Sequence, residues 1–244
     1  MIISFYFIMP SENLNLSYYF QPMDRVDVNQ LQLTDVSLYS MTPWKEANFV
    51  SRTILNFYKK NGESHPLKNE AEHGGSLTIP YLRPKYGDIP IITDATSHVG
   101  GNTLSFHLSG FKTVHSVEID PQICQMLIHN LQTYHLPTEH VHYGDYVAIC
   151  RDLRQDVVFL DPPWGGPDYI NNPCLDLYLG TTNIVEVCAD LMSQHRASLI
   201  VLKVPINYNF SCLLNKLNTQ NFLTHKVYRG THHSYNIIFC WSCD

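Results

Sequence analysis

The sequence predicts an α/β fold: a doubly wound, mostly parallel sheet with an antiparallel C-terminal hairpin, preceded by a small helical or irregular N-terminal region. Three observations predict it. From residue 88 onward, short apolar runs alternate with segments of helical periodicity, as in parallel sheets covered by helices on both faces. Acidic residues follow several of these runs. The last two apolar runs are joined only by "GTHH", which is typical of an antiparallel pair at a sheet edge.

A change of pattern near residue 87 divides the chain into two parts. We expect residues 1–86 to form an N-terminal extension and residues 87–244 to form the domain that contains the sheet. Within the extension, residues 44–58 have the apolar spacing of an amphipathic helix, with Thr42 as its N-cap and Pro43 at its first position. The length of 244 residues suffices for one sizeable core but hardly for two full domains.

The second part predicts a regular succession of elements. Runs rich in Val, Ile and Leu predict buried strands, and segments that open with Gly or Pro and repeat apolar residues every three or four positions predict helices. The predicted strands are residues 88–96, 112–120, 140–143, 156–161, 196–204, 221–230 and 234–242. The predicted helices are residues 100–110, 121–135 and 183–195. This succession indicates a Rossmann-like sheet.

The composition limits the partners and the compartment. Only 16% of the residues are charged and the net charge is −6, which argues against a broad basic face for long duplex nucleic acid but allows a partner that contacts few phosphates. No apolar stretch is long enough to cross a bilayer. Seven cysteines without framework spacing indicate reduced thiols. We therefore expect an intracellular monomer without a membrane partner, in the nucleus or cytoplasm, including the host cytoplasm if the protein is viral.

A metal site is not predicted. Cys240 and Cys243 have CxxC spacing and His232 and His233 lie nearby, but zinc needs four ligands in convergent geometry. One such pair at a chain terminus is weak evidence, and a buried strand cysteine next to a terminal one explains the same pattern.

The loop after the first strand has the composition of a ligand-binding turn. In doubly wound sheets, ligands bind beyond the carboxyl ends of the strands, where the strand order reverses. The run "DATSHVGGNT" contains Gly100 and Gly101, which let the backbone approach a ligand, and the free amides of the next helix face the same place. The run lacks the GxGxxG spacing of a dinucleotide site. A nucleoside that carries an amino-acid carboxylate fits better, and S-adenosylmethionine is such a molecule.

Four acids stand at the ends of successive strands. A carboxylate at the end of the second strand can accept both hydroxyls of a ribose, and one after the third strand can accept from an adenine amine. A single acid at a strand end is often only a helix cap. Four in register indicate a ligand site at this edge of the sheet. These acids are Asp94, Glu118, Asp145 and Asp161.

The fourth predicted strand leads into Asp161-Pro162-Pro163-Trp164. This stretch resembles the [DNS]-Pro-Pro-[YFW] motif of methyltransferases that act on exocyclic amines of nucleobases. Such an amine is a poor nucleophile because its lone pair is delocalised. The Asp161 carboxylate and the Pro162 carbonyl can accept its two hydrogens and aim the lone pair, and the indole offers a face for stacking. The structural alternative is a proline-stiffened turn with the tryptophan in the core.

A longer match is more specific. The run "VVFLDPPWGGPDY", residues 157–169, resembles the trimethylguanosine synthase family, which methylates the guanine N2 amine of 7-methylguanosine RNA caps. The family typically has "DAFCGVGGNT" where this chain has "DATSHVGGNT", and "VEIDP" and the Gly-Asp after the third strand also match. The resemblance covers residues 91–169. It implies S-adenosylmethionine as the methyl donor and capped RNA as the partner.

The resemblance implies a role for each matched residue. Trp164 would stack on the cationic 7-methylguanine through a cation–π contact, Asp161 and Pro162 would position the amine, and Asp168 would contact the substrate. Outside the match, Lys203 ends a predicted strand on the ligand side and is the cation best placed for the cap phosphates. The donor would be bound at its methionine end by Asp94, Gly100, Asn102 and Thr103, at its ribose by Glu118 and at its adenine by Asp145.

Two departures from the family pattern leave alternatives open. Asp161 stands where the family often has serine. An aspartate at this position matches the broader motif of the amino-methyltransferases, so an amino-methyltransferase acting on rRNA or DNA bases is one alternative. His98 stands where the first loop usually has glycine. If this position needs a positive φ, histidine tolerates it only moderately, which favours the other alternative, a non-catalytic methyltransferase-like subunit.

Overall fold

The computed structural model describes residues 15–62, 89–218, 222–229 and 235–242. The predicted boundary at residue 87, the linker "GTHH" and Cys243 lie outside these residues. Across the part that is described, no helix is both long enough and apolar enough to span a membrane.

Along the described chain the predicted helices and strands occur in the predicted order, and further elements that were not predicted lie before and between them. The helices are α1 Leu16–Tyr19, α2 Ser37–Ser40, α3 Trp44–Gly62, α4 Gly101–Leu108, α5 Pro121–Thr133, α6 Tyr146–Ile149, α7 Ile184–Ser193 and α8 Phe210–Asn218. The strands are β1 Ile91–Asp94, β2 Thr113–Glu118, β3 Val141–Tyr143, β4 Val157–Leu160, β5 Tyr178–Leu179, β6 Thr182–Asn183, β7 Leu199–Pro205, β8 Phe222–Arg229 and β9 Tyr235–Ser242. Short 3₁₀ helices occupy Val28–Gln30, Cys150–Asp152 and Pro167–Asn171.

The main sheet, within the described residues, has seven strands in the order β3-β2-β1-β4-β7-β9-β8. The first five are parallel, and β9 is antiparallel to both β7 and β8. The predicted doubly wound sheet with an antiparallel C-terminal hairpin is therefore confirmed. The strand order reverses between β1 and β4, so the carboxyl ends of these two strands flank the crevice where such sheets bind ligands. The strands β5 and β6 form a separate hairpin.

The centre of the sheet is a continuous apolar layer. Every residue of β4 and β7 is buried, as expected for strands that are covered on both faces. One hydrophobic cluster joins α3, α7 and α8 to β4, β7 and β9. A second cluster joins the segment before α3 to α4 and α5, where Phe20, Leu31 and Met41 pack with Leu104 and Leu127. The chain before the sheet thus covers the helix that follows β1.

A buried asparagine fixes this N-terminal segment against the predicted ligand loop. Asn130 on α5 is fully buried, accepts from the amide of Gln32, and donates to the carbonyls of Gln32 and Val99. Since Val99 belongs to the loop between β1 and α4, one amide side chain holds both segments in register. Buried amides satisfied in this way specify a single arrangement of the surrounding chain.

The predicted helix at residues 44–58 is present and continues to Gly62 as α3. Its beginning differs from the prediction. The carbonyl of Pro43 accepts from the amides of Glu46 and Ala47, so Pro43 stands at the N-cap position and not at the first helical position. Thr42, the predicted N-cap, therefore lies one residue before the cap, and its hydroxyl is used in the site described next.

Candidate active site

The carboxyl ends of neighbouring strands bring together most of the predicted site residues. Asp94 ends β1, Glu118 ends β2, and Asp161 directly follows β4. Lys203 lies in β7, which pairs with β4. Because β1 lies between β2 and β4 in the sheet, these side chains surround the point where the strand order reverses.

Asp161 and Lys203 form a buried ion pair. The Lys203 ammonium donates to Asp161 Oδ2 at 2.6 Å, and the side chains of Lys203 and Asp161 are 7% and 11% exposed. Desolvation of two charges offsets much of their attraction, so such a pair contributes defined geometry more than stability. The sequence predicted Lys203 as a ligand of the cap phosphates. That role stays a prediction, and the partner that the structure gives Lys203 is the acid of the motif.

Two threonine hydroxyls complete the surroundings of Asp161. Thr42 Oγ1 donates to Asp161 Oδ2 at 3.3 Å, and the Asp161 amide donates to Thr96 Oγ1 at 2.9 Å. The backbone and one carboxylate oxygen are therefore both held. Among the described residues no group donates to Oδ1, so this is the oxygen that a substrate amine can use. Pro162, whose carbonyl is the second predicted acceptor, is buried.

Trp164 lies between the two arrangements that the sequence left open. Its indole is partly buried and packs against the main core cluster, and Nε1 is enclosed without a hydrogen-bond partner. Tyr169 contacts the indole at a centroid distance of 5.1 Å with an interplanar angle of 76°, and Lys203 Nζ lies 4.8 Å from the ring centroid. The indole is thus held beside the ion pair, with part of its surface exposed.

Two glycines shape the segment after the tryptophan. Gly165 and Gly166 have φ angles of 92° and 82°, and a Cβ on either would meet no atom within 4 Å. Backbone conformation rather than space therefore requires glycine at both positions. The 3₁₀ helix Pro167–Asn171 follows. Asp168 is exposed on this helix, and its expected contact with the substrate stays a prediction.

Asp94 is buried at the end of β1, and in the described part of the chain no Lys or Arg pairs with it. Thr103 Oγ1 donates to Oδ2 at 2.7 Å, and the Thr96 amide lies 3.4 Å from Oδ1. Burial raises the pKa of Asp94 to about 7, and the charges of Asp161 and Glu118 also raise it, while the two hydrogen bonds lower it. A carboxylate in this environment favours a bound cation strongly.

Glu118 is held by two backbone amides. Asp120 donates to Oε1 and His98 donates to Oε2, each at 2.8 Å. Burial raises the pKa of Glu118, and these amide hydrogen bonds lower it. Each carboxylate oxygen has a second lone pair available, so a fixed Glu118 can still accept from ribose hydroxyls.

The start of α4 shows the close approach that the glycines predict. Gly100 has a φ of 104°, and a Cβ there would lie 2.8 Å from Leu127 Cδ1. A Cβ on Gly101 would lie 3.0 Å from the Thr42 carbonyl oxygen. Asn102 donates to Thr42 Oγ1 at 3.2 Å, while its own Oδ1 is buried without a partner. Buried polar atoms are rarely left unpaired in native proteins, which makes this oxygen a candidate ligand.

Asp145 is exposed after β3 and caps α6 by accepting from the Val147 amide at 2.9 Å. A helix-capping role therefore exists at this position, and its contact with adenine stays a prediction. Ile119 and Tyr143 stand at the ends of β2 and β3 and are 60% and 64% exposed. These large side chains offer an apolar surface suited to a purine ring.

Three residues of this arrangement were not predicted as site residues: Thr42, Thr96 and Tyr235. Tyr235 belongs to β9, its ring centroid lies 5.2 Å from Lys203 Nζ, and its hydroxyl donates to Glu46 Oε2 at 3.0 Å. Thr42 and Tyr235 reach the site only through the tertiary fold, so no local pattern marks them. Across the described residues, no three His, Cys, Asp or Glu side chains are arranged to hold a metal ion.

Comparison with known proteins assigns the chain to a family. The sequence profile of the RNA cap guanine-N2 methyltransferases matches residues 89–235, more than half of the chain. The chain belongs to this family. The match includes both loops described above, and the predicted membership among S-adenosylmethionine-dependent methyltransferases is confirmed.

Two curated relatives match different shares of the chain. The uncharacterized protein L320 of Acanthamoeba polyphaga mimivirus is 28% identical over 204 residues, which cover 82% of this chain and 77% of the viral protein. The trimethylguanosine synthase of Schizosaccharomyces pombe is 31% identical over 140 residues, which cover 54% of this chain and 46% of the yeast protein. The chain thus matches less than half the length of the yeast enzyme.

Solved structures agree on the fold. PH1948 from Pyrococcus horikoshii has a TM-score of 0.52 at 16% identity, covering 88% of this chain and 93% of that one. The cofactor-bound protein Rv0187 from MTB also has a TM-score of 0.52, at 10% identity, covering 84% of this chain and 83% of that one. At such identities the likeness supports the architecture alone.

As a member of this family, the protein uses S-adenosylmethionine as its methyl donor. Two features of the site fit that donor. The buried Asp94 carboxylate has no paired Lys or Arg among the described residues, which suits a ligand with positive charge. The unpartnered Asn102 Oδ1 can accept from an ammonium group.

Proposed function

We propose that this protein transfers a methyl group from S-adenosylmethionine to the exocyclic N2 amine of the guanine in the 7-methylguanosine cap of RNA. One observation carries the proposal: a carboxylate held on one oxygen stands beside a partly exposed indole at the point where the strand order reverses. Asp161 is held by Lys203 and Thr42, and Trp164 lies against the same lysine. Membership in the cap guanine-N2 family supports the choice of base and atom.

The amine is held and oriented by the chain leaving β4. When bound, S-adenosylmethionine supplies a methyl group on a sulfonium sulfur. Asp161 Oδ1 accepts one N–H of the amine and the Pro162 carbonyl accepts the other, which draws the nitrogen out of conjugation and aims its lone pair. Because Lys203 and Thr42 hold Oδ2, the carboxylate does not need to reorganise as the reaction proceeds. The Asp161 carboxylate can also accept the proton that the nitrogen loses.

The base itself stacks on Trp164. A 7-methylguanine is cationic, so its stacking on an indole gains a cation–π contribution of about 1–2 kcal/mol when water is excluded. The Lys203 ammonium near the same ring opposes a second cation, but the Asp161 carboxylate 2.6 Å away largely balances that charge. The pair therefore leaves the site close to neutral.

The donor side is formed by the ends of β1, β2 and β3. We assign the ammonium group of the donor to Asp94, which lacks a counter-charge among the described residues, and to the unpartnered oxygen of Asn102. We assign the ribose to Glu118, which is held by two backbone amides. We assign the adenine to the exposed side chains of Ile119 and Tyr143 and to Asp145. Gly100 and Gly101 keep the path open, and Thr103 holds Asp94.

A methyl-transfer assay tests the proposal. The full chain is incubated with labelled S-adenosylmethionine and either 7-methylguanosine diphosphate or guanosine diphosphate, and the product is located by mass spectrometry. We expect label on the base amine of 7-methylguanosine diphosphate at a rate about five- to thirtyfold above that of guanosine diphosphate, from the cation–π contribution of about 1–2 kcal/mol. Equal rates would favour the alternative of an amino-methyltransferase on other RNA or DNA bases. No product with either nucleotide, while the donor binds, would reject the proposal.

A further inference from the structure

His98 has an unusual backbone conformation without the usual structural reason. Among the described residues, His98, His135 and His195 combine a side chain with a left-handed φ, at 49°, 56° and 51°. His135 and His195 each follow the last turn of a helix, α5 and α7, where a left-handed residue commonly ends the helix. His98 ends no helix. It lies in the loop between β1 and α4, inside the candidate active site.

The His98 side chain carries a second cost. Both imidazole nitrogens are enclosed by the protein and have no hydrogen-bond partner. Burial lowers the pKa of His98 to about 4, so at pH 7 the ring is neutral and offers one N–H donor and one bare nitrogen. Native proteins rarely leave such groups unpaired. A position that combines backbone strain with unpaired polar atoms is a candidate for function.

The position of His98 points to the nucleoside end of the donor. Its amide donates to Glu118 Oε2 at 2.8 Å, and its imidazole lies close enough to Asp120 for that charge to act on the pKa. The loop on either side is fixed, because Ser97 Oγ donates to the Asp94 carbonyl and Asn130 donates to the Val99 carbonyl. The backbone of His98 therefore lies beside Glu118, and its ring lies near Asp120, which follows the same strand end.

We propose that His98 is a donor-binding residue, and that its neutral imidazole hydrogen-bonds the ribose of S-adenosylmethionine beside Glu118. A ribose hydroxyl that donates to Glu118 can still accept the imidazole N–H through its oxygen lone pairs. In this account the histidine replaces a glycine turn with a polar ligand, and it is not an obstruction. The proposal depends on the donor alone and is independent of the RNA substrate.

Calorimetry on the full chain tests this role without any turnover. The ligands are S-adenosylhomocysteine and 5′-methylthioadenosine, which shares the nucleoside but lacks the amino-acid part. We expect His98→Gly to bind both ligands about three- to tenfold more weakly, the size of one hydrogen bond. His98→Asn should lie between wild type and His98→Gly, because asparagine tolerates the left-handed conformation and keeps a donor and an acceptor. His135→Gly, the matched control, relieves the same backbone conformation far from the ligand and should bind like wild type.

Several outcomes would overturn the proposal. Equal or tighter binding by His98→Gly means that the imidazole only fills or obstructs the loop. A loss for S-adenosylhomocysteine but not for 5′-methylthioadenosine places the ring at the amino-acid end, against the assignment to ribose. Absence of binding by the wild-type chain also overturns it. A thermal melt checks that each variant is folded, and if His98→Gly is not, His98→Asn carries the same comparison.

Discussion

Asp94 and Asp161 terminate neighbouring strands, yet their electrostatic environments are opposite. Asp161 is paired with a buried ammonium at 2.6 Å and receives a hydroxyl. Asp94 receives a hydroxyl and a backbone amide, has no paired Lys or Arg in the described chain, and its pKa is raised to about 7. The charge of Asp161 is therefore balanced by a lysine, whereas the charge of Asp94 has no counter-charge among the described residues.

On the proposed function, this difference in charge gives the donor side and the substrate side of the site different tasks. The donor carries an ammonium and a sulfonium, so a carboxylate without a counter-charge contributes attraction when the donor binds. On the proposed substrate side the charge is already balanced inside the protein, so we expect Asp161 to contribute a fixed acceptor rather than net attraction. We therefore expect donor binding to depend on the charge of Asp94, and the reaction to depend on the geometry of Asp161.

The largest expected effect on stability comes from breaking the ion pair between Asp161 and Lys203. Lys203→Met leaves the Asp161 carboxylate buried and unpaired, and should lower the free energy of unfolding by about 3–5 kcal/mol, measured by urea denaturation. The double variant Asp161→Asn/Lys203→Met should recover most of that loss. Lys216→Met is the control, because its ion pair with Glu186 is 38% and 57% exposed and should cost less than about 1 kcal/mol. Similar losses for both lysines would contradict the account.

Removing the charge of Asp94, which has no counter-charge among the described residues, should raise the stability instead of lowering it. The raised pKa means that between about pH 4 and pH 7 folded Asp94 retains a proton that the unfolded chain has released. The free energy of unfolding therefore falls as pH rises through this window, and the loss is complete above pH 7. Asp94→Asn removes the ionisation and should raise the Tm at pH 8 by about 2–5 °C, but not at pH 4.

The same Asp94→Asn variant should bind S-adenosylhomocysteine more weakly, since the carboxylate no longer attracts the ammonium. Asp152→Asn, at an exposed aspartate on a 3₁₀ helix, serves as the control for both measurements and should change neither. A lower Tm for Asp94→Asn at pH 8, or unchanged ligand affinity, would show that Asp94 is a structural acid.

A smaller effect, on kcat, is expected from Thr42, the residue of the N-terminal segment that bonds Asp161. Thr42→Val removes the hydroxyl that joins Asn102 to Asp161, and should lower kcat about three- to tenfold with little change in KM for the capped nucleotide. Thr42→Ser should restore kcat. Thr53→Val is matched to it, because among the described residues the Thr53 hydroxyl bonds only the Phe49 carbonyl, within α3. Equal kinetics for the two valine variants would remove Thr42 from the site.

The fold could be predicted because its signals are local. Each strand of the main sheet is marked by a run of apolar residues, the helices α4, α5 and α7 show helical periodicity, and the strand-end acids follow from position alone. The helix α8 was not predicted, although Phe210, Leu213 and Leu217 have helical spacing. The helix α6 has four residues and the strands β5 and β6 have two each, which is too short for periodicity to register.

The site was predictable only in part. The motif around Asp161 and the loop before α4 are contiguous in sequence, so their chemistry can be recognised without coordinates. The contacts that hold them are not contiguous: Thr42 and Lys203 reach Asp161 from opposite ends of the chain. Lys203 was recognised as a strand-end cation, but sequence gives its order in the strand and not its depth, so its pairing with Asp161 was not foreseen.

The central claim is that Trp164 contributes to binding of the cap nucleotide and not to binding of the donor. The most direct test measures the two affinities separately in variants of Trp164. The affinities for 7-methylguanosine diphosphate and for S-adenosylhomocysteine are measured by calorimetry in the wild type, Trp164→Phe and Trp164→Ala. The account predicts that Trp164→Ala loses about tenfold or more in affinity for the cap nucleotide, that Trp164→Phe loses less, and that all three bind S-adenosylhomocysteine alike. Equal loss of both ligands in Trp164→Ala would show that the indole is only part of the core, and would contradict the account.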